Sequence, residues 1–240
     1  RGKGWPSGKG RERWAVVYAR TPLSLRLFAR MKRSVRLLVL SDQVHPHIHS
    51  PRFPENLPPL GPGPAAGDLP GAYPGDLGPQ GPVPVLFVPG NHGEEWVLEE
   101  GRRKRPGGVV NLHGRLFRHQ GRLFYGIGGV PRYREGEGQL SEGELLRLAL
   151  KPFPLAFPRR LLLGHGVDVL LTHAPPPGPS AGEDFAHRGA RAFLLFHRLF
   201  RPRLHVHGHT PLLGANPERR HRTPLGVEVV HAQGYALIAL

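Results

Sequence analysis

Apolar residues in this chain come in short runs separated by long polar stretches. Val35 to Leu40, Pro84 to Val88, Val167 to Thr172 and Leu204 to His207 are compact runs, several of them rich in valine. That length suits buried strands better than helices. Val109 to Leu112, Leu116-Phe117 and Arg122 to Ile127 alternate between glycine turns, as antiparallel strands do. Gly226 to Leu240 reads as a closing hairpin. Two segments carry helical spacing instead. Leu145, Leu146 and Leu150 follow Ser141, with Glu144 three residues on, which is a capping-box pattern. From Ala190 to Phe200, residues Phe193, Leu194, Phe196, Leu199 and Phe200 form a stripe that belongs to a core. Glu94 to Glu100 is expected as a short helix and Arg102 to Arg105 as a basic loop. There is no internal repeat. The order predicts an α/β fold of two packed mixed β-sheets flanked by helices, with functional side chains at the carboxyl ends of strands.

Composition narrows the chemistry. With 240 residues the chain fits one large domain or two small ones. Glycine (33) and proline (28) would suggest disorder if evenly spread, but they cluster between the apolar runs. Cysteine is absent, which excludes disulfides, thiolate metal sites and a cysteine nucleophile. The 15 histidines leave an imidazole and oxygen metal site open.

The charge is +15, from 33 Lys+Arg and 18 Asp+Glu. Taken alone, it suggests a polyanionic partner. Residues 1–30, however, hold eight basic residues and one acid, Glu12. The single methionine, Met31, precedes the first strand. We therefore expect residues 1–30 to be a basic extension, non-native or disordered, and residues 31–240 to be one domain. A transit-like segment and a basic nucleic-acid arm are the alternatives for 1–30. Arginine exceeds lysine 28 to 5, a bias of GC-rich, bacterial-type composition that tempers the reading of each arginine. No run approaches the ~20 apolar residues of a membrane span. A cytoplasmic protein without a membrane partner is the expectation.

Five separated segments end in metal-type ligands: Ser41-Asp42, Gly67-Asp68, Gly90-Asn91-His92, Thr172-His173 and His207-Gly208-His209. One such residue after a strand means little; five in this order are hard to obtain by chance. Oxygen and imidazole donors suit Mn, Fe, Zn or Ni, and carboxylates can bridge two ions. No P-loop and no Gly-x-Ser-x-Gly elbow is present.

This ordered set resembles that of the calcineurin-like metallophosphoesterases, whose motifs are Asp-x-His, Gly-Asp, Gly-Asn-His, a lone His and Gly-His-x-His. The likeness spans about residues 35–240 and implies a four-layer sandwich. It implies a metal-dependent phosphoric ester hydrolase acting on a phosphomonoester or phosphodiester by attack of metal-bound hydroxide. It also assigns roles. Asp68 bridges two ions and Asp42 ligates the first. Asn91, His173 and His209 complete the second. His92 stabilises the phosphate and protonates the leaving group.

Two departures fall on the first ion's shell. Val44 replaces the histidine of Asp-x-His, and Pro211 replaces the second histidine of Gly-His-x-His. One strong ion site and one weak or absent site are therefore expected. His45 either substitutes for Val44 or lies on a solvent-facing loop. His207 either orients a ligand from behind or is an ordinary core histidine. Gly61-Pro62-Gly63-Pro64 shortens the strand before Asp68. Asp76 repeats the Gly-Asp-Leu form, but Asp68 lies nearer the first strand and is preferred. Asp184-x-x-His187 caps a helix entry or lines the cleft. Arg219-Arg220-His221-Arg222 steers phosphate or is a solvated face.

Two other functions compete. One is a degenerate metal- or phosphate-binding regulatory protein, favoured by the lost histidines. The other is a nucleic-acid-binding nuclease, favoured by charge but lacking interleaved aromatic residues. Substrate and oligomeric state are not legible in the sequence.

Overall fold

The structure is a computed structural model that describes residues 36–41, 63–65, 85–91, 97–99, 102–104, 109–211 and 219–240. In its five-stranded sheet, β1 (Arg36–Ser41), β2 (Gly63–Ala65), β3 (Val85–Phe87) and β6 (Val109–Asn111) run parallel. β15 (Gly234–Ala239) lies antiparallel on the outer side of β1. A six-stranded sheet has β14 (Glu228–His231), β12 (Leu204–His207), β11 (Val169–Thr172) and β8 (Arg122–Ile127) in parallel. Its two edges, β13 (Arg220–Arg222) and β7 (Leu116–His119), are antiparallel. β9 (Val130–Pro131) pairs with β10 (Gln139–Leu140), and β4 (Val97–Glu99) with β5 (Arg102–Lys104).

The period of two along the strands builds two cores. Val169 and Leu171 point to one side of β11 and join Val39, Leu86, Val206 and Ile238 between the sheets. Leu170 points the other way, with Tyr125 and Ile127, against a helical layer. That layer consists of α1 (Glu142–Leu150), α2 (Phe153–Leu163) and α3 (Arg191–Phe200). Of the expected core stripe, Phe193, Phe196 and Phe200 of α3 are fully buried there and Leu199 packs against them, whereas Leu194 faces outward and is exposed. The fold is the expected mixed α/β arrangement of packed sheets with helices. Among the described residues, helices cover the outer face of the six-stranded sheet, and none is long and apolar enough to cross a membrane.

α1 starts as its sequence dictates. The Ser141 N–H donates to Glu144 Oε2 at 2.8 Å, and the Glu144 N–H donates back to Ser141 Oγ at 3.3 Å. α2 escapes the hydrophobic pattern because prolines interrupt it. Pro152 is the N-cap and Pro154 sits in the first turn, where no intrahelical N–H is needed. Only Pro158 forgoes a helical bond, and Gly164 closes the helix in the left-handed region at φ 80°.

Three expectations are corrected. Gly226 to Leu240 is not a hairpin: β14 joins the six-stranded sheet and β15 the five-stranded one. Gly234, at φ 74°, turns the chain between sheets, and Val230 and Ile238 then meet in the core from opposite sides. Within the helix expected at Glu94 to Glu100, the described residues Val97–Glu99 form strand β4, and within the loop expected at Arg102 to Arg105, Arg102–Lys104 form strand β5; the remaining residues of both segments lie outside the described residues. The two strands pair antiparallel, Val97 with Lys104 and Glu99 with Arg102. β2 has only three residues and a single register pair with β1, Leu40 with Ala65. Pro64 lies at its centre and brings no N–H to the ladder.

Candidate metal centre

The described motif residues follow the carboxyl ends of strands. β1 stops at Ser41, just before Asp42, and β2 stops at Ala65, ahead of Asp68. β3 leads to Asn91, β11 to His173 and β12 to His209. Asp42, Val44, His45, Asp68 and His92 themselves lie outside the described residues. Asn91, His173, His207, His209 and Pro211 are placed.

Asn91 and His173 come from different sheets and meet. His173 Nε2–H donates to Asn91 Oδ1 at 2.9 Å, with both residues buried. Asn91 Nδ2 donates to the Tyr133 hydroxyl at 3.1 Å. That bond turns the amide so that its oxygen faces the imidazole. Two donors sharing one ion at right angles, with bonds of about 2.1 Å, stand about 3 Å apart. The observed spacing meets that requirement once an ion displaces the Nε2 proton.

His209 adjoins the pair, its ring centroid 4.9 Å from that of His173. Its backbone is left-handed, φ 69°, a conformation uncommon outside glycine and enriched at functional sites. Its Nε2–H donates to the Ala186 carbonyl at 3.1 Å, which leaves Nδ1 with the lone pair. On its other side stands His187, ring centroids 5.0 Å apart. Asp184 does not cap α3, which begins at Arg191. Its carboxylate instead accepts from His187 Nδ1 at 2.8 Å, and that hydrogen bond holds it below the usual carboxylate range. The Asp184 and His187 pair thus lies against a candidate ligand. Pro211 is exposed.

A sequence profile of the calcineurin-like phosphoesterases matches residues 25–212. The chain belongs to the calcineurin-like phosphoesterase family. Among solved structures, one crystal structure aligns over 86% of this chain and 95% of its own, at 13% identity and a TM-score of 0.53. The crystal structure of TT1561 of Thermus thermophilus aligns over 85% and 94%, at 14% identity and a TM-score of 0.51. At these identities the likeness establishes the fold. No curated protein matches the sequence.

Phosphoesterases of this family use divalent ions in general, and the described donors fit half of such a site. Asn91 Oδ1 and His173 Nε2 meet, and the His209 ring adjoins them, so oxygen and imidazole donors stand side by side. Among the described residues, no three histidine or carboxylate side chains form a complete ion-binding group. Asp42 and Asp68, the expected carboxylate ligands, fall outside those residues.

Behind the site runs a row of buried histidines. His207 stacks on its register partner His231, ring centroids 4.7 Å apart. His207 Nδ1–H donates to the carbonyl of Gly208, the residue that carries the chain to His209. The Nε2 atoms of His207 and His231 are buried without a hydrogen-bond partner. Burial pushes His207 far below its ordinary range and takes His231 down to about 4.

A second chain of bonds fixes tautomers. His197 Nε2–H donates to His205 Nδ1 at 2.8 Å, and His205 Nε2–H donates to Thr172 Oγ1 at 2.8 Å. The hydroxyl of Thr172 donates onward to the Ala174 carbonyl at 2.6 Å. Every member is neutral in this arrangement, as burial demands. The chain pins the backbone on both sides of His173.

Sequence reasoning missed Tyr133, Gly138, Thr172 and His231. Gly138, at φ 71°, lies so close to the Gly90-Asn91 turn that an added Cβ would meet the Gly90 carbonyl oxygen at 2.3 Å. A Gly-rich turn carrying one tyrosine has no motif to announce this. The strand at Leu204 to His207 was expected, but His205 was not singled out.

Proposed function

We propose that this phosphoesterase hydrolyses a phosphomonoester or phosphodiester with a divalent ion held by Asn91, His173 and His209 and completed by the carboxylate of Asp68. Asp42, with Asp68, would hold a second ion more weakly, because Val44 and Pro211 supply no imidazole. Such ions lower the pKa of water and neutralise charge on the phosphoryl oxygens when bound. The chain does the rest. Asp68 orients both halves of the site, and His92 binds a phosphoryl oxygen and gives its imidazole proton to the leaving alkoxide. The observation that carries this reading is the 2.9 Å approach of Asn91 Oδ1 and His173 Nε2 from two different sheets.

The test measures metal content by mass spectrometry and hydrolysis of bis-p-nitrophenyl phosphate with added Mn. Asp68→Asn is expected to lose bound metal and turnover together. His92→Ala is expected to keep the metal and lose about 10²-fold or more in turnover. Unchanged activity in Asp68→Asn overturns the assignment. Pro211, exposed where the family places a histidine, favours a second reading: a protein that binds an ion or phosphate without turnover. Stoichiometric metal with no hydrolysis under any divalent ion is its signature.

A further inference from the structure

The helical layer that covers the six-stranded sheet has an unusual outer face. Leu155, Leu161, Leu162 and Leu163 of α2 are 67%, 72%, 82% and 57% exposed, and only Ala156 of the helix is buried. Successive residues turn about 100° around a helix axis, so Leu161 to Leu163 cover about 200° of its circumference. A flat protein partner touches one side of a helix. An apolar medium that surrounds the protruding end accommodates all three leucines.

The charge around this end has one sign. No acidic residue occurs between Glu144 and Asp168, nor between Asp184 and Glu218. All of α2 and α3 and the last six residues of α1 therefore carry no carboxylate. Asp168 is itself buried and paired with Arg159 at 2.7 Å. Arg160 Nη1 donates to the carbonyls of Arg198 and Leu199, both at 2.8 Å, which locks α2 against the end of α3. That lock sets the exposed Arg198 and Arg201 beside the last turns of α2, and exposed Lys151 precedes its first.

We propose that α2 docks this protein onto an anionic phospholipid surface. The leucine end enters the interface while Lys151, Arg198 and Arg201 meet headgroup phosphates. At 11 residues the helix is far too short to span a bilayer. It lies in the interfacial layer, a mode that needs no membrane-crossing segment.

The experiment is co-sedimentation of the full chain with vesicles containing about 30% phosphatidylglycerol in phosphatidylcholine, against pure phosphatidylcholine. Binding is expected to the anionic vesicles and to weaken in about 0.5 M NaCl. Leu161→Gln with Leu162→Gln is expected to weaken it by at least about tenfold at an unchanged melting temperature. Lys151→Glu with Arg198→Glu is expected to weaken it and reduce its salt dependence. Three results overturn the proposal. One is no binding to anionic vesicles. Another is equal binding by the leucine variant, which assigns the attraction to basic residues elsewhere. The third is a concentration-dependent dimer that the leucine variant dissolves while vesicles capture nothing.

Discussion

The Tyr133 hydroxyl accepts the Asn91 amide N–H at 3.1 Å, and this bond decides which end of the amide faces His173. Tyr133 reaches the site from the loop between β9 and β10, where the Tyr133 N–H donates to Gln139 Oε1 at 3.2 Å. Tyr133→Phe removes the hydroxyl and keeps the ring. Mn affinity measured by calorimetry is expected to fall about tenfold or more, as when a residue behind a ligand is lost. Global stability is expected to change by only about 1 kcal/mol. Unaltered affinity would remove Tyr133 from the site.

Gly138 is a second support, acting through backbone. Alanine there is strained at φ 71° and brings its Cβ into the Gly90 carbonyl, which immediately precedes Asn91. Gly138→Ala is expected to destabilise by about 1–3 kcal/mol. It should also weaken metal binding, because the Asn91 turn must shift to make room. Urea unfolding and calorimetry on the same preparation check both parts.

The buried histidines give the fold an acid limit. Burial takes His197 and His231 down to about 4, from the ordinary 6.5. A depressed histidine keeps the folded state proton-poor, so falling pH favours the unfolded chain, which protonates first. The contribution is complete above pH 6.5 and is lost as pH falls from there towards 4. Each residue contributes about 3 kcal/mol at most by this linkage. The urea midpoint is expected to drop clearly between about pH 7 and pH 5 in metal-free protein. Equal midpoints at the two values contradict buried, neutral imidazoles.

Far from the site, Asp168 ties the start of β11 to its surroundings. Its carboxylate accepts from the Leu123 N–H at 2.8 Å and pairs with Arg159 at 2.7 Å and His165 at 3.2 Å. Asp168→Ala leaves those donors and the arginine charge unanswered in a buried place, a loss of about 3–5 kcal/mol. Phosphoester turnover per folded molecule is expected to stay unchanged below the melting temperature, since His173 sits at the opposite end of the strand. A loss of turnover without a loss of stability would reverse that assignment.

Local rules carried the reading of sequence as far as local rules reach. Leu204 to His207 is a strand, Ser141 and Glu144 cap a helix, and Phe193, Phe196 and Phe200 are core, each from spacing that decides the outcome by itself. α2 was not predicted because Pro152, Pro154 and Pro158 interrupt its apolar spacing, although two of them occupy positions where a helix needs no N–H. The separation of β14 from β15 was hidden for a different reason. Two adjacent apolar strands look alike whether they pair with each other or with distant sheets, and only packing chooses. At the site, the approach of Asn91, His173 and His209 follows from short contiguous motifs after strand ends, while Asp42, Asp68 and His92 lie outside the described residues. Tyr133 and the line from His197 through His205 to Thr172 were not legible, because their partners are far away in sequence.

The pairing of β1 with β15 has a consequence for the order of assembly. Its six register pairs begin with Arg36 opposite Ala239, a separation of 239 − 36 = 203 residues. Closing so long a loop is entropically slow, and β2 offers β1 only one register pair meanwhile. The strand that leads to Asp42 therefore waits for the far end of the chain, whereas the strands and helices leading to His173 and His209 assemble from neighbours. Refolding should organise the strands that carry His173 and His209 first and the strand that precedes Asp42 last.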